Sequence, residues 1–300
     1  MPLYRSVAEL DFTLADLPVL PAPRRILLAD PAHYKTEQAL NPHMLDARGA
    51  LKPVDPARAR EQWSALRARF EELGFEVDVV PAGRGLPDLV FCANQVLPIP
   101  AAAAADGVAR IVPSRMRWPS RRGEVPLVTA HLARAGYEIT ELEAEGPIEG
   151  MGDGLWHPGR RLLWAGVGQR SRAAAWSEVA QRFDLPVILL ELVSDDFYHL
   201  DTCLALLAED ACLWHPPALA PAARELVEAL VPRRIEVDAG EARTRLACNA
   251  CGPDGRHVLL PAGAPITAKR LRAEGFEVIE VDTEEFLKAG GSVFCMKLQH

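Results

Sequence analysis

The sequence predicts a single α/β domain over residues 1–300 that repeats one helix–strand unit around a common axis. Three segments share a pattern: "RFEELGFEVDVV" (69–80), "HLARAGYEITEL" (131–142) and "RLRAEGFEVIEV" (270–281). Each reads as the end of an amphipathic helix, a glycine suited to a left-handed helix cap, an aromatic residue and an alternating strand. Two weaker copies, 173–192 and 220–238, keep the order helix then strand without the glycine. Five units at irregular spacing indicate radial repetition within one domain.

Further short strands are expected between these units, at residues 87–99, 161–166, 197–207, 245–252 and 291–298. A doubly wound parallel sheet is the competing arrangement. It would carry a glycine-rich phosphate loop after an early strand, and the chain has neither a GxGxxG nor a GxxxxGK[ST] motif. A closed five-fold arrangement would instead bring the polar residues of these strands close to the axis.

Composition excludes several classes of function. The chain has 300 residues, 49% of them hydrophobic, and a formal net charge of −8 without a basic stripe, so nucleic acid is not an expected partner. It has no secretory layout at its N-terminus and no run of eighteen apolar residues, so we expect a cytoplasmic protein without a membrane partner. The six cysteines are expected to be reduced. "CNAC" (248–251) has redox or half-zinc-site spacing but no second CxxC, so we expect buried structural cysteines and neither a metal nor a cofactor.

The stretch "DDFYHLDTCLALL" (195–207) places two ionisable residues in an apolar run. On a strand, His199 and Asp201 would point to the same face because residues two apart share a face. Burying an ionisable pair is costly unless both groups are satisfied. This face is therefore either a functional site or an ion pair of the core, and these residues alone leave both interpretations open.

Other candidate residues also stand in apolar or glycine-rich surroundings. Cys295 lies in "AGGSVFCMKL", a predicted apolar strand, where a cysteine is usually a small hydrophobe. His199 would give it a base or acid if the fold brings the two together. Glu149 and Asp153 lie in "PIEGMGDGLW", whose glycines allow the backbone to approach a ligand closely, although a cap or turn explains Asp153 equally well. Carboxylates around a thiol raise its pKa unless a cation is present, and a guanidinium substrate would supply that cation.

A series of motifs runs in order along nearly the whole chain: "NPHM" (41–44), "PDLVFCAN", "VPSRMRWPSRRGE", "EGMGDGL", "LLWAGVGQRS", "FYHLDTC", "ACNA" and "FLKAGGSVFCMKL". They resemble the guanidino-group-modifying (pentein) superfamily of arginine deiminases, dimethylargininases and amidinotransferases. They are most similar to the motifs of its bacterial arginine dihydrolase-like members. The resemblance implies a five-bladed pseudo-symmetric α/β propeller.

The resemblance also implies roles for individual residues. Cys295, His199 and Glu149 would form the catalytic set, in which Cys295 attacks the guanidinium carbon and His199 protonates the departing nitrogen and then activates water. Glu149 and Asp201 would hold the guanidinium nitrogens. The expected substrate-binding residues are Asp201, Asn94, Arg121, Arg170, Asn41 and Asp153, with the two arginines on the substrate carboxylate. Asn94 stands where deiminases carry an aspartate, and this neutral amide favours an arginine dihydrolase.

The chain departs from the motifs of close members around the expected substrate, at Cys92, Gln95, Val96, Met116, Arg117, Trp118 and Gly154. Trp118 would either stack on a methylated guanidinium or simply cover its loop. The first hypothesis is a cysteine-dependent hydrolase that converts arginine to ornithine or citrulline with release of ammonia. A dimethylargininase or an amidinotransferase is the alternative, although Asp201 beside His199 favours unmodified arginine. A non-catalytic protein that binds guanidino compounds is the second alternative. A homo-oligomer is compatible with all three hypotheses.

Overall fold

The computed structural model describes residues 3–300. In that range the strands, β1 to β17 in chain order, are Leu3–Tyr4, Val19–Leu20, Arg25–Ala29, Glu76–Val80, Val96–Ile99, Arg110–Pro113, Glu138–Ile139, Gly154–Trp156, Gly159–Arg160, Leu163–Val167, Val187–Glu191, Leu204–Ala208, Ala211–Trp214, Arg233–Glu236, His257–Pro261, Glu277–Val281 and Leu298–Gln299. The helices, α1 to α8, are Pro56–Glu72, Glu124–Arg134, Gly150–Asp153, Ala173–Arg182, Pro221–Leu230, Ala239–Arg245, Pro265–Ala273 and Glu284–Leu287. Within this range no helix is long and apolar enough to cross a bilayer.

One β–α–β unit recurs five times. A helix connects two parallel strands in β3–α1–β4, β6–α2–β7, β10–α4–β11, β13–α5–β14 and β15–α7–β16. In four units an antiparallel strand pairs with the first strand, and these added strands are β17, β5, β8 and β12. In the fifth unit an isolated bridge between Cys251 and Leu259 takes that place. The five predicted helix–strand units are therefore confirmed.

The caps of these units follow the sequence pattern. Gly74, Gly136 and Gly275 have φ angles of +78°, +98° and +88°, as predicted for glycines that end helices in the left-handed region. In the unit without a glycine between α4 and β11, Asp184 adopts a φ of +50°. Aspartate tolerates this conformation better than most residues, which explains how the weaker repeat keeps the same turn.

Four strand predictions, at residues 87–99, 197–207, 245–252 and 291–298, were wrong over the part of each segment that carries the polar side chains. Residues 87–94 form two 3₁₀ turns before β5, and His199 precedes a 3₁₀ turn at Leu200–Thr202 before β12. Residues 246–250 and 293–296 form turns. At residues 199–202 the physical reason is that a side chain bonds to nearby backbone and so competes with strand pairing. The Thr202 hydroxyl, for example, donates to the His199 carbonyl at 2.6 Å.

The core holds the last of these turns in place. The buried apolar residues form three clusters, and Phe294 packs against all three. The pairing of β17 with β3 then joins the end of the chain to the first β–α–β unit. The turn at residues 293–296, which carries Cys295, is therefore anchored from several sides of the molecule.

Candidate active site

Cys295 lies on a turn that precedes β17 and is 2% exposed. Its Sγ donates a hydrogen bond to Asp201 Oδ2 at 3.0 Å and accepts one from Asn249 Nδ2 at 3.1 Å. Burial, followed by the charge of Asp201 and the hydrogen bond to it, raises the pKa of the Cys295 thiol well above its usual range. Without a cation nearby, Cys295 is therefore a thiol rather than a thiolate at neutral pH.

Asn249 is a site residue that sequence reasoning missed. Its Oδ1 accepts from the backbone N–H groups of Ser292 and Cys295, at 2.9 and 3.2 Å. Its Nδ2 donates to the Asp201 carbonyl at 3.1 Å as well as to Cys295 Sγ. The "CNAC" motif drew attention to its cysteines, although a lone amide in an apolar run was the signal that could have identified Asn249.

His199 and Glu149 form a second buried pair. His199 Nε2 donates to Glu149 Oε2 at 2.7 Å, and Arg170 donates to the same oxygen at 3.1 Å. The backbone N–H of Arg117 donates to Glu149 Oε1 at 2.8 Å. Burial alone would raise the pKa of Glu149, but the hydrogen bond from His199 and the charges of His199 and Arg170 lower it to about 2. Glu149 is therefore ionised and fixes the orientation of the imidazole.

His199 and Asp201 do not share a strand face, so this prediction was wrong. His199 immediately precedes the 3₁₀ turn that contains Asp201, and a 3₁₀ helix has about three residues per turn, so residues two apart point in different directions. The imidazole consequently meets Glu149, and the Asp201 carboxylate meets Cys295. Burial raises the pKa of Asp201 to about 7, although the hydrogen bonds from Cys295 and Asn249 act to lower it.

Asn94 and Arg121 make a third group. Arg121 Nη1 donates to Asn94 Oδ1 at 3.0 Å, while its Nε and Nη2 donate to the Glu124 carboxylate, at 2.8 Å for Nη2. Nη2 also reaches the backbone carbonyls of Asp88 and Phe91. Burial raises the pKa of Glu124 to about 7, although the charge of Arg121 and its hydrogen bonds act to lower it. Since Glu124 and carbonyl groups already hold Arg121, its guanidinium is well placed to orient the Asn94 amide.

A small cavity, here called the inner cavity, lies between these groups. Its volume of about 20 Å³ has room for about one water molecule. It is lined by Leu40, Asn41, Met44, Asp88, Phe91, Asn94, Arg121, Arg170, Tyr198, Ala289 and Cys295. Five of the residues predicted from the sequence therefore meet at one cavity. Asn41 is held there because its Nδ2 donates to the Ala289 carbonyl at 2.9 Å.

Asp153 is not among the residues that line the inner cavity. Its Oδ2 accepts from the Ser171 hydroxyl at 2.6 Å, and its Oδ1 accepts from the Leu200 N–H at 3.0 Å. Burial raises the pKa of Asp153 to about 6. Because both oxygens have partners, the arrangement favours a role in holding the turn after His199 over direct contact with a substrate.

Gly152 lies between two of the predicted site residues. A Cβ atom at this position would lie 2.2 Å from Asn94 Nδ2 and 3.3 Å from two carbons of the His199 ring. Asn94 Nδ2, His199 Nδ1 and Asp201 Oδ1 are buried and have no hydrogen-bond partner in the described part of the chain. Buried polar groups of this kind are costly unless a ligand or water satisfies them, so the site offers both donors and an acceptor to a polar ligand.

A wider pocket, here called the outer pocket, has a volume of about 490 Å³ and shares Arg170 and Tyr198 with the inner cavity. The Arg170 guanidinium lies 4.7 Å from the Tyr198 ring centroid and 6.0 Å from that of Trp118. The Tyr198 hydroxyl donates to the Gly290 carbonyl at 2.7 Å. Arg170 and Tyr198 thus stand between the surface and the inner cavity, and the Trp118 ring faces Arg170.

The remaining cysteines are also buried and free. Cys248 and Cys251 are 0% and 2% exposed, and burial raises the pKa of both thiols. Across residues 3–300, no three His, Cys, Asp or Glu side chains are grouped so that they could hold a metal ion. The "CNAC" motif contributes to the site through Asn249.

A profile of the eukaryotic N,N-dimethylarginine dimethylhydrolase family matches residues 35–300. The chain belongs to the dimethylarginine dimethylaminohydrolase family. The superfamily recognised from the motifs is therefore confirmed. A dimethylarginine dimethylaminohydrolase from Mycobacterium tuberculosis is 39% identical over 280 residues, which are 93% of this chain and 86% of that relative.

Other relatives of this chain are named for a different activity, the hydrolysis of arginine. The bifunctional arginine dihydrolase/ornithine cyclodeaminase ArgZ of Synechocystis is 34% identical over 277 residues, 92% of this chain but only 37% of ArgZ. The solved N-terminal domain of ArgZ, a cysteine-to-serine mutant bound to its substrate, superposes with a TM-score of 0.83 at 34% identity, covering 92% of this chain and 97% of that domain. The α/β fold is thus shared with this arginine dihydrolase.

Proposed function

We propose that this chain hydrolyses the guanidino group of arginine or of an N-substituted arginine through a covalent intermediate on Cys295. The observation that carries this proposal is the hydrogen bond between the Cys295 thiol and Asp201. Asp201 lies on a 3₁₀ turn directly after His199, and His199 pairs with Glu149. Relatives named for the hydrolysis of dimethylarginine and of arginine support the same reaction class.

The substrate cation activates the nucleophile. In the free protein, burial and then the charge of Asp201 raise the pKa of Cys295 and keep the thiol protonated. A guanidinium that donates to the Asp201 carboxylate neutralises that charge and adds a positive one beside Sγ, so the thiol pKa falls. The thiol gives its proton to the neutral His199 imidazole, and the thiolate attacks the guanidinium carbon and forms a tetrahedral adduct with one new C–S bond.

His199 completes the cycle. Held by Glu149, the imidazolium gives its proton to the departing nitrogen, and the C–N bond breaks to leave an amidino group on Cys295. The neutral imidazole next takes a proton from water, whose oxygen attacks the same carbon. The C–S bond breaks, and the released thiolate takes the proton back from the imidazolium. Arginine and one water thus give citrulline and ammonia. In a dihydrolase, citrulline and a second water give ornithine, carbon dioxide and ammonia.

The amino-acid end of the substrate would face the outer pocket. Arg170 lines both this pocket and the inner cavity and is therefore the residue that we propose for the substrate carboxylate. Arg121 is held by Glu124 and Asn94, so we propose that it orients Asn94 toward the guanidinium. Because the inner cavity has room for about one water molecule, lining side chains must move to admit the guanidinium, and we propose Arg170 and Tyr198, which also line the outer pocket.

We rank arginine first among substrates because Asn94 replaces an acidic partner by a neutral amide. A dimethylarginine dimethylaminohydrolase is the second candidate. The family profile and the 39% identical relative favour it, and the Trp118 ring beside Arg170 could lie against a methylated group.

The experiment measures ammonia, dimethylamine and amino-acid products from arginine, N,N-dimethylarginine, citrulline and agmatine. The expected result is ornithine with two ammonia per arginine, whereas citrulline with one ammonia would indicate a deiminase and dimethylamine the second candidate. Cys295→Ser should lose turnover, and Cys251→Ser, at a cysteine with the same 2% exposure, should retain it. Turnover that persists in Cys295→Ser would contradict the proposal.

The fold proposal is that residues 1–300 form one domain in which the five β–α–β units close into a five-bladed propeller. The pairing between β17, the last strand, and β3, the first strand of the first β–α–β unit, supports closure. A single unfolding transition seen alike by fluorescence and circular dichroism is expected, and two separable transitions would contradict one domain.

A further inference from the structure

A third pocket, here called the Lys297 pocket, shares no lining residue with the inner cavity or the outer pocket. Its volume of about 310 Å³ lies at the lower end of the range found for small-molecule sites. Apolar side chains form most of its wall, among them Leu20, Met151, Leu155, Leu206 and Phe294. A pocket of this size and character suits a small, mainly apolar molecule.

Lys297 places a positive charge in this apolar wall. The residue is 1% exposed, and its Nζ lies 3.7 Å from the centroid of the Phe294 ring. The ring attracts the cation but accepts no ordinary hydrogen bond, whereas an ammonium group carries three donors. Over residues 3–300, Lys297 has neither an ion pair nor a side-chain hydrogen bond. Because the residue is 1% exposed and lines the pocket, acceptors for this ammonium, from a ligand or from water, reach it through the pocket.

The other polar side chains of the wall already have partners within the described chain: Trp156, His157, Glu209, Asp254 and Gln299. The two acidic ones are held by cations or possible cations, Glu209 by Arg160 at 2.8 Å and Asp254 by His257 at 2.7 Å. Among these side chains, Lys297 is therefore the group left to bind a ligand, and an anionic acceptor would complement its charge.

We propose that the Lys297 pocket binds a small, largely apolar carboxylic acid. The carboxylate would accept hydrogen bonds from Lys297 Nζ, and the hydrocarbon part would lie against Met151, Leu155 and Phe294. A doubly charged phosphate would need more donors than one ammonium offers, and a polar acid would leave its other groups without partners in the apolar wall. The proposal does not rest on the proposed function.

The pocket lies behind the turn that carries the nucleophile. Phe294 and Lys297 line it, while Cys295, between them in the chain, lines the inner cavity. The charge of Lys297 also acts on Asp201, whose pKa burial raises and Lys297 partly lowers. A bound acid would thus contact the reverse side of the turn that holds Cys295.

The test titrates hexanoate and hexan-1-ol, which have the same chain length but differ in charge, into the intact protein by isothermal titration calorimetry. The wild type should bind hexanoate at least about tenfold more tightly than hexanol, because a charge-assisted pair forms only with the acid. Lys297→Met, which keeps an unbranched apolar side chain in the wall, should lose this preference. Lys269→Met, at an exposed position on α7, should keep it.

Three results would overturn the proposal: equal binding of acid and alcohol to the wild type, an undiminished preference for hexanoate in Lys297→Met, or loss of hexanoate binding in Arg170→Gln. The last result would place the probe in the outer pocket. The thermal unfolding of Lys297→Met is measured first. If this variant does not fold, the comparison of acid with alcohol in the wild type and in Arg170→Gln still decides.

Discussion

Replacing Asn249 by alanine tests whether this residue organises the site. The side chain is fully buried and makes four hydrogen bonds: to the N–H groups of Ser292 and Cys295, to the Asp201 carbonyl and to Cys295 Sγ. Alanine removes all four and leaves two buried N–H groups without this acceptor. The hydrogen bond from Cys295 Sγ to Asp201 would remain, but the turn that carries Cys295 would lose its second link to the segment that carries Asp201, the one through Asn249.

The size of the effect follows from these bonds. At about 1 kcal/mol net for each hydrogen bond, Asn249→Ala should lower the free energy of unfolding by about 4 kcal/mol. Thr202→Val is the matched control, because it keeps the side-chain shape and removes one buried hydrogen bond, to the His199 carbonyl at 2.6 Å. The control should lose about 1 kcal/mol.

The assay is urea unfolding at 25 °C, followed by tryptophan fluorescence. A lower midpoint at an unchanged dependence on denaturant reports a change in stability alone. If Asn249→Ala loses no more stability than Thr202→Val, the four bonds do not act as the structure indicates, and the reasoning fails.

Three further predictions concern the site. The kcat/KM for arginine should rise with pH through about 7. Burial raises the pKa of Asp201 to about 7, and only the carboxylate form of Asp201 pairs with a guanidinium. A flat pH–rate profile from pH 5 to 9 would contradict this. Gly152→Ala should lower kcat about 100-fold, since its Cβ would lie 2.2 Å from Asn94 Nδ2, and unchanged turnover would show that Asn94 can shift freely. Glu124→Gln should lower the free energy of unfolding by about 3 kcal/mol in the same urea assay, because Arg121 is left buried without its carboxylate. A smaller loss of stability than that of Thr202→Val would contradict a stabilising ion pair between Glu124 and Arg121.

The five helix–strand units could be predicted from the sequence because their signals are local. Apolar periodicity marks each helix, and glycines such as Gly74 and Gly275 mark its end within a few residues of the next strand. The site candidates could also be named, since the motifs that carry them follow one another along the chain. Five of them, including Cys295 and Asn94, line one cavity.

The directions of the site side chains were decided only by the tertiary structure. Cys295 bonds to Asp201 across 94 residues of chain, and His199 bonds to Glu149 across 50. A run of aromatic and apolar residues predicted a strand at residues 197–207, and its second half lies in β12. In its first half, packing and side-chain bonds to the backbone produced a 3₁₀ turn that sends His199 and Asp201 to different partners. The contacts of Asn249 with Asp201, Ser292 and Cys295, and the position of Lys297 in a pocket wall, also arise from contacts between distant segments.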